Sequence, residues 1–201
     1  MKDYTVTITR QFGSLGRPIA QKIASALGYE YYDRDIVEMT ANELNMSVSH
    51  VGEAEEKAKA KWYDMRYPLG IKTSKEQDAI FREQSRIITE LAKKGPAVFV
   101  GRCSEHILNY KKNVLRVGIV APYERRVENC IKVLHMEGKD AMETILEVDK
   151  ARDIYHKNYT GHYPFDHRYQ DLIIDSSLLG VDGTAEAVAR IVKELSEKVD
   201  V

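Results

Sequence analysis

Arg10-Gln11-Phe12-Gly13-Ser14-Leu15-Gly16-Arg17-Pro18 joins a stretch of β-branched residues to a helical pattern. Its glycines, hydroxyl and guanidinium groups are suited to holding an anion. A glycine-rich turn that opens a helix collects backbone N–H groups at the positive end of the helix dipole, and phosphate is the ligand such turns attract. The full phosphate-loop pattern GxxxxGK[ST] is not met, because Gln11 stands at the first glycine, Arg17 at the lysine and Pro18 at the hydroxyl residue. Gly13 and Gly16 keep the backbone freedom the turn needs, and Arg17 keeps a positive charge on a planar fork that grips phosphate oxygens bidentately. Pro18 suits the first helical turn, yet it removes one N–H and brings no hydroxyl to a magnesium ion. Two readings follow: Gly13, Ser14, Leu15, Gly16, Arg17 and Pro18 hold the phosphates of a nucleotide, or GSLG is a plain strand-to-helix turn. On the first, Ser14 and Asp33 are the candidate magnesium ligands, with water completing the octahedron.

Asp33 ends a short strand pattern, where α/β sheets place ligands beyond the strand ends. There it would orient an acceptor or hold metal-bound water; as an aspartate it is also a preferred cap for the helix that follows. Arg125 and Arg126 are adjacent on a helical pattern and point about 100° apart, so only one is expected to face a ligand. His156, His162 and His167 lie among Tyr155, Tyr159, Tyr163 and Tyr169, but their spacings do not match zinc motifs on helices and there is no cysteine pair to join them. Trp62, Tyr63 and Tyr67 offer rings for base stacking, with packing of their own segment the alternative. Asp149-Lys150-Ala151-Arg152 reads by itself as a solvated charge run.

The elements that must position these groups are legible in the periodicity. Residues 4–9, rich in threonine, valine and isoleucine, read as a strand; Ile19, Ala20, Ile23, Ala24 and Leu27 recur at helical spacing up to a stop at Gly28. Residues 29–32 form a second strand, followed by a helix over 35–44. Between Ser47 and Lys72 the pattern weakens: Glu53, Glu55, Lys57 and Lys59 give (i, i+4) pairs, while Pro68 and Gly70 break any helix, so a helical insertion with a loop is expected. Ser74 with Gln77 resembles a capping box, ahead of an apolar helix face through Ile80, Phe81, Ile87, Ile88 and Leu91. The apolar runs 97–100, 114–120 and 172–174 suit strands buried on both faces of a parallel sheet, and helices are expected over 124–136 and 184–199, the second capped by Thr184. Alternating strands and helices imply a doubly wound α/β sheet.

Composition bounds the rest. Two hundred and one residues are enough for one domain with an insertion. The 30 basic and 31 acidic residues nearly cancel, so no global field favours nucleic acid or an anionic membrane. Two cysteines outside any CxxC spacing argue against a disulfide framework and fit a reducing cytoplasm. No apolar run reaches membrane-spanning length, and the N-terminus shows no signal-peptide core.

Several stretches recur together in order: ITRQFGSLGRPIA, YYDRDI, VFVGRCSEHIL, APYERRVENC, DKARDIYHKNYTG and DLIIDSSLLG. Taken as a set they resemble the cytidylate kinase-like family of P-loop nucleoside monophosphate kinases, over nearly the whole chain. The resemblance implies a three-layer P-loop NTPase fold in a single domain, 1–201, with a five-stranded parallel sheet, a helical acceptor-binding insertion at about 40–90 and a lid at about 149–168. It implies ATP and Mg2+ as cofactors and a nucleoside monophosphate such as CMP as acceptor; a non-nucleotide acceptor and an inactive nucleotide-binding regulator are the alternatives. By the same resemblance Arg102 receives the acceptor phosphate, Lys150 and Arg152, with Lys157 joining them, close over the transferring group, and residues 175–178 line the donor purine. Where related bacterial cytidylate kinases carry Gly-Arg-Asp, this chain has Gly101-Arg102-Cys103, so the carboxylate that helps recognise the acceptor is missing there.

Overall fold

The computed structural model describes residues 3–48 and 74–197. The stretch 49–73, with the expected insertion pairs at Glu53, Glu55, Lys57 and Lys59, the rings of Trp62, Tyr63 and Tyr67, and the breakers Pro68 and Gly70, lies outside the described residues. So does the Ser74 side chain of the expected capping box.

Five strands, β1 (Thr5–Arg10), β2 (Glu30–Tyr32), β3 (Ala97–Val100), β4 (Val114–Val120) and β5 (Leu172–Asp175), form one parallel sheet in the order β2-β3-β1-β4-β5. β1 is central: Val6 pairs with Val98 of β3 on one side and with Leu115 of β4 on the other. Its side chains are buried on both faces, which is why its sequence is β-branched almost throughout. Helices α1 (Gly16–Leu27), α2 (Arg34–Glu43), α3 (Ser74–Lys94), α4 (Ser104–Ile107), α5 (Tyr123–Lys132), α6 (Gly138–Thr160) and α7 (Ser176–Glu197) complete the described elements. α1 and α7 pack Ile19, Ile23, Val188 and Val192 on one face of the sheet, against Val6, Ile8 and Val117. On the other face, Ile87, Ile88 and Leu91 of α3 meet Phe99 and Leu108. The architecture is the expected three-layer α/β fold.

Three local expectations differ. The run 172–174 is expected to be buried on both faces, but among the described residues β5 is the sheet edge, and Ile173 remains 41% exposed. The helix expected over 124–136 ends at Lys132; His135 takes a left-handed conformation (φ 56°), and a separate 23-residue helix, α6, then carries the chain from Gly138. Thr184 caps nothing. Its helix already runs from Ser176 through a kink at Gly180 (φ 66°, ψ −172°), and Thr184 is fully buried beyond that kink.

The fully buried Phe99 ring stacks on Tyr32 at 5.2 Å. Phe99→Ala is expected to lower the unfolding free energy by about 3–5 kcal/mol. Ile173→Ala, at the exposed edge, is expected to cost less than about 1 kcal/mol. Urea denaturation of the two variants checks the contrast.

Candidate active site

At the end of β1 the chain leaves the sheet through a turn held from several sides. Gln11 N–H donates to Ile119 O at 3.1 Å, and its own side-chain oxygen accepts from Ala121 N–H at 3.1 Å. Gly13 has φ 77°, and a Cβ there would stand 2.7 Å from the Arg126 carbonyl oxygen, so only glycine fits. Leu15, in a left-handed conformation, precedes the first residue of α1. Two loop carbonyls are taken up from outside the loop, Gly13 O by the Asn129 amide (2.9 Å) and Ser14 O by the Ser176 hydroxyl (2.8 Å). The Ser14 hydroxyl is buried and donates to Gln11 O at 2.9 Å. With the carbonyls tied back, what this turn presents is N–H: Gly16 and Arg17 occupy the first helical turn, where amides have no partner inside the helix.

The DKAR segment lies in the second half of α6, and two of its side chains grip this loop. Asp149 accepts from Phe12 N–H at 2.8 Å and pairs with the Arg126 guanidinium. Arg152 donates to Arg10 O at 3.1 Å and lies 5.9 Å from the Phe12 ring centroid. Lys150, by contrast, is exposed. Lys157 is also exposed and bonds the Tyr163 hydroxyl at 3.3 Å. Arg125 and Arg126 diverge as their geometry requires: Arg126 is buried on the loop, and Arg125 pairs in solvent with Glu128 at 2.8 Å.

Asp33, only 4% exposed, forms no cap to α2. Its Oδ2 is bonded by Arg17 Nε and lies 3.3 Å from the Tyr31 hydroxyl that donates to it; its buried Oδ1 accepts no hydrogen bond from the described residues. Burial alone would raise the Asp33 carboxyl, but Arg17 and Arg10 outweigh it and hold it below the usual range. Arg10 reaches this group across Gly101, where a Cβ would fall 2.0 Å from Arg10 Nη1. Arg102 follows with an unusual φ of 58°. Burial, partly offset by Asp33 and reinforced by Arg17 and Arg102, lowers the Arg10 guanidinium to about 10. Burial also lowers Arg102 and Arg152. Four guanidinium groups thus share one electrostatic neighbourhood with the carboxylates of Asp33 and Asp149.

Beside them lies a cavity of about 140 Å³ whose walls include Thr9, Arg10, Arg102, Cys103, Glu105, Arg152, Tyr155, His156 and Phe165. Within it Glu105 Oε1 and His156 Nε2 are 2.5 Å apart, while His156 Nδ1 is 2.8 Å from the His162 carbonyl oxygen. Burial disfavours the charged imidazole, but the Glu105 hydrogen bond and charge, with the His162 carbonyl, raise its pKa overall. Burial and then Glu105 push the Cys103 thiol well up, so it stays protonated. Donor atoms of Cys103, Glu105 and His156 lie within 4.8 Å of one another, but both imidazole nitrogens already have partners. Of the three histidines, His156 and His162 meet with ring centroids 4.9 Å apart and His162 stacks on Tyr169 at 3.7 Å, while His167 is exposed.

Among the expected site residues, the structure brings together Arg17, Asp33, Arg102 and Arg152, and it leaves Lys150 outside. Sequence reasoning gave no role to Arg10, Asp149 or Glu105, and took His156 only as one of a histidine cluster. Arg10 and Asp149 were available as charged members of the quoted motifs, whereas no signal joined Glu105 to His156, 51 residues away.

A central strand leading through a glycine turn into a helix, in a parallel sheet of this order with buried arginines above it, defines an α/β domain of the P-loop kinase type. The chain belongs to the Cytidylate kinase-like family, whose profile matches residues 5–178. Similar solved structures include a protein of Eubacterium ventriosum described as uncharacterized, 23% identical with TM-score 0.68, the match covering 97% of this chain and 99% of that one. Shikimate kinase from Acinetobacter baumannii in complex with shikimate is 11% identical with TM-score 0.57 (98% and 97% covered), and a gluconokinase from Sinorhizobium meliloti is 14% identical with TM-score 0.52 (96% and 95%). At these identities the likeness is one of fold. No curated protein matches the chain. Family and fold together support a small-molecule kinase, a class that uses a nucleotide and usually Mg2+. Among the described residues no helix is long and apolar enough to cross a membrane.

The raised His156 pKa has a consequence for stability. A histidine whose folded pKa lies above its ordinary 6.5 contributes stability that is complete below that value and lost as pH rises through the raised one. The melting temperature of the protein is therefore expected to fall as pH climbs through and above neutrality, and His156→Gln is expected to flatten this slope. Thermal melts between about pH 5 and 9 check it.

Proposed function

We propose that the chain is a cytoplasmic ATP-dependent kinase that transfers the γ-phosphoryl group of MgATP to a nucleoside monophosphate, CMP being the first acceptor to test. One observation carries the reading: Arg10, Arg17, Arg102 and Arg152 converge around Asp33 at the end of the central strand, where burial disfavours the charge of Arg10, Arg102 and Arg152. Buried cations in excess of their carboxylates call for an anion, and the phosphates of donor and acceptor supply it.

In this reading the amides of Gly13, Ser14, Leu15, Gly16 and Arg17 hold the donor phosphates, and Pro18 starts the helix without contributing an N–H. Mg2+, when bound, would neutralise phosphate charge; Asp33, with its unengaged buried Oδ1, and Ser14 are the residues that would hold it. Arg102 and Arg10 receive the acceptor phosphate, and Asp33 orients the acceptor. Arg152, bonded to the Arg10 carbonyl, sits where the transferring group passes, and Lys150 would join it only if its side chain turned inward. Phosphoryl transfer needs mainly alignment and cations where charge accumulates, and this constellation can provide both. Residues 40–90 serve as the acceptor-binding insertion and 149–168 as the lid.

A second reading, a non-nucleotide acceptor, is favoured by the protonated Cys103 thiol in place of a carboxylate. The fold-level neighbours, named as shikimate kinase and gluconokinase, make small hydroxy acids the natural additions to the panel.

ADP production from MgATP over nucleoside monophosphates and small hydroxy acids tests both readings. Turnover is expected with one acceptor, with Arg17→Ala and Arg102→Ala each lowering kcat/KM on the order of 10²-fold. MgATP binding without turnover on any acceptor would overturn the kinase reading and leave a nucleotide-binding regulator.

A further inference from the structure

The cavity contains a buried carboxylate that the phosphate chemistry does not use. Glu105 is 2% exposed. Its Oε1 is committed to His156, which is held in turn by the His162 carbonyl at 2.8 Å and lies 3.0 Å from the Thr160 hydroxyl. Among the described residues its Oε2 meets the Thr9 hydroxyl alone, at 3.5 Å, the outer limit of a hydrogen bond. Thr9 is itself fixed by the Gln170 amide at 3.3 Å. A carboxylate oxygen accepts more than one hydrogen bond, so Oε2 keeps acceptor capacity on the cavity wall. Keeping a charge out of water is costly unless something specific pairs with it, and here the imidazole pairs with one oxygen only.

The volume suits one ring: about 140 Å³ is close to the roughly 150 Å³ of an apolar cavity that takes up benzene. Tyr155 and Phe165 give this space aromatic walls, while Arg10 and Arg152 border it with positive charge. We propose that the cavity seats a single six-membered ring of the acceptor, with an N–H or O–H donor of that ring hydrogen-bonded to Glu105 and the acceptor's anionic group on the arginines. Glu105 is then a specificity-determining residue, and His156 is the positioning residue that orients it. The inference deepens the proposed function and rests on it for the identity of the acceptor.

A pyrimidine nucleotide and a cyclic hydroxy-carboxylate share this chemistry, and titration calorimetry separates them. CMP, quinate and AMP are titrated into the full chain and into its Glu105→Gln and Cys103→Met variants, with MgATP binding measured in each. CMP or quinate is expected to bind at least tenfold more tightly than AMP, and which of the two binds names the source. Glu105→Gln is expected to weaken that binding about tenfold to a hundredfold with MgATP affinity retained, as befits loss of one charge-assisted hydrogen bond. Cys103→Met, which adds bulk to the cavity wall, is expected to do the same, and it decides the matter if circular dichroism shows that Glu105→Gln does not fold. AMP binding as tightly as the one-ring anions, no binding of either one-ring anion, or unchanged affinity in the folded variants would overturn the inference. Phosphorylation of an acyclic acceptor alone would also overturn it while leaving the kinase standing. Ring binding lost in the variants, with no ADP formed on any acceptor, would support the cavity assignment and sink the transfer reading.

Discussion

The site depends on how the protein tolerates four guanidinium groups in one partly desolvated place. Like charges this close repel, and burial adds to the cost. Two carboxylates offset it: Asp33 engages Arg17 from the end of β2, and Asp149 engages Arg126 and Arg152 from α6. Neither is a surface ion pair of small consequence. Arg17–Asp33 ties α1 to the end of β2 and Arg126–Asp149 ties α5 to α6, while Asp149 also bonds the Phe12 amide, so these contacts align the loop, the sheet and the α6 helix with one another as they neutralise charge.

The loop shows how little of such a site is carried by side chains alone. Its carbonyls are bonded by Asn129 and Ser176, from two different helices, and its Phe12 amide by Asp149. With those groups taken, the first amides of α1 are what remains for an anion. The missing lysine and hydroxyl of the usual pattern therefore matter less than they would in a loop held only by its own turn. Glycine is required at 13 and 101 for a steric reason in each case, the Arg126 carbonyl and the Arg10 guanidinium respectively.

α6 contributes twice. One part of the helix grips the loop through Asp149 and Arg152, and the next turn supplies Tyr155 and His156 to the cavity. A shift of this helix would move the loop and the cavity together. Phe81, stacked on Tyr159 at 4.1 Å, ties the same helix to α3.

Residues and periodicity alone determined the alternating strands and helices, the helix-opening glycine turn and the placement of Asp33 at a strand end. These are local properties: β-branched runs, apolar spacing of three and four residues, and backbone freedom are written in neighbouring positions. The ordered set of motifs added the family and the five strands, and with them the expectation that Arg102, Lys150 and Arg152 meet phosphate. What local pattern does not contain is which distant side chains meet. The edge position of β5 came from its lack of an outer neighbour, and the inward turn of Asp149 but not Lys150 from the rotation of α6 against the loop. Glu105 meets His156 only because α4 and α6 pack on the same end of the sheet. Strand order and helix rotation are set by the packing of the whole core, and a carboxylate finds its imidazole only after that packing is complete.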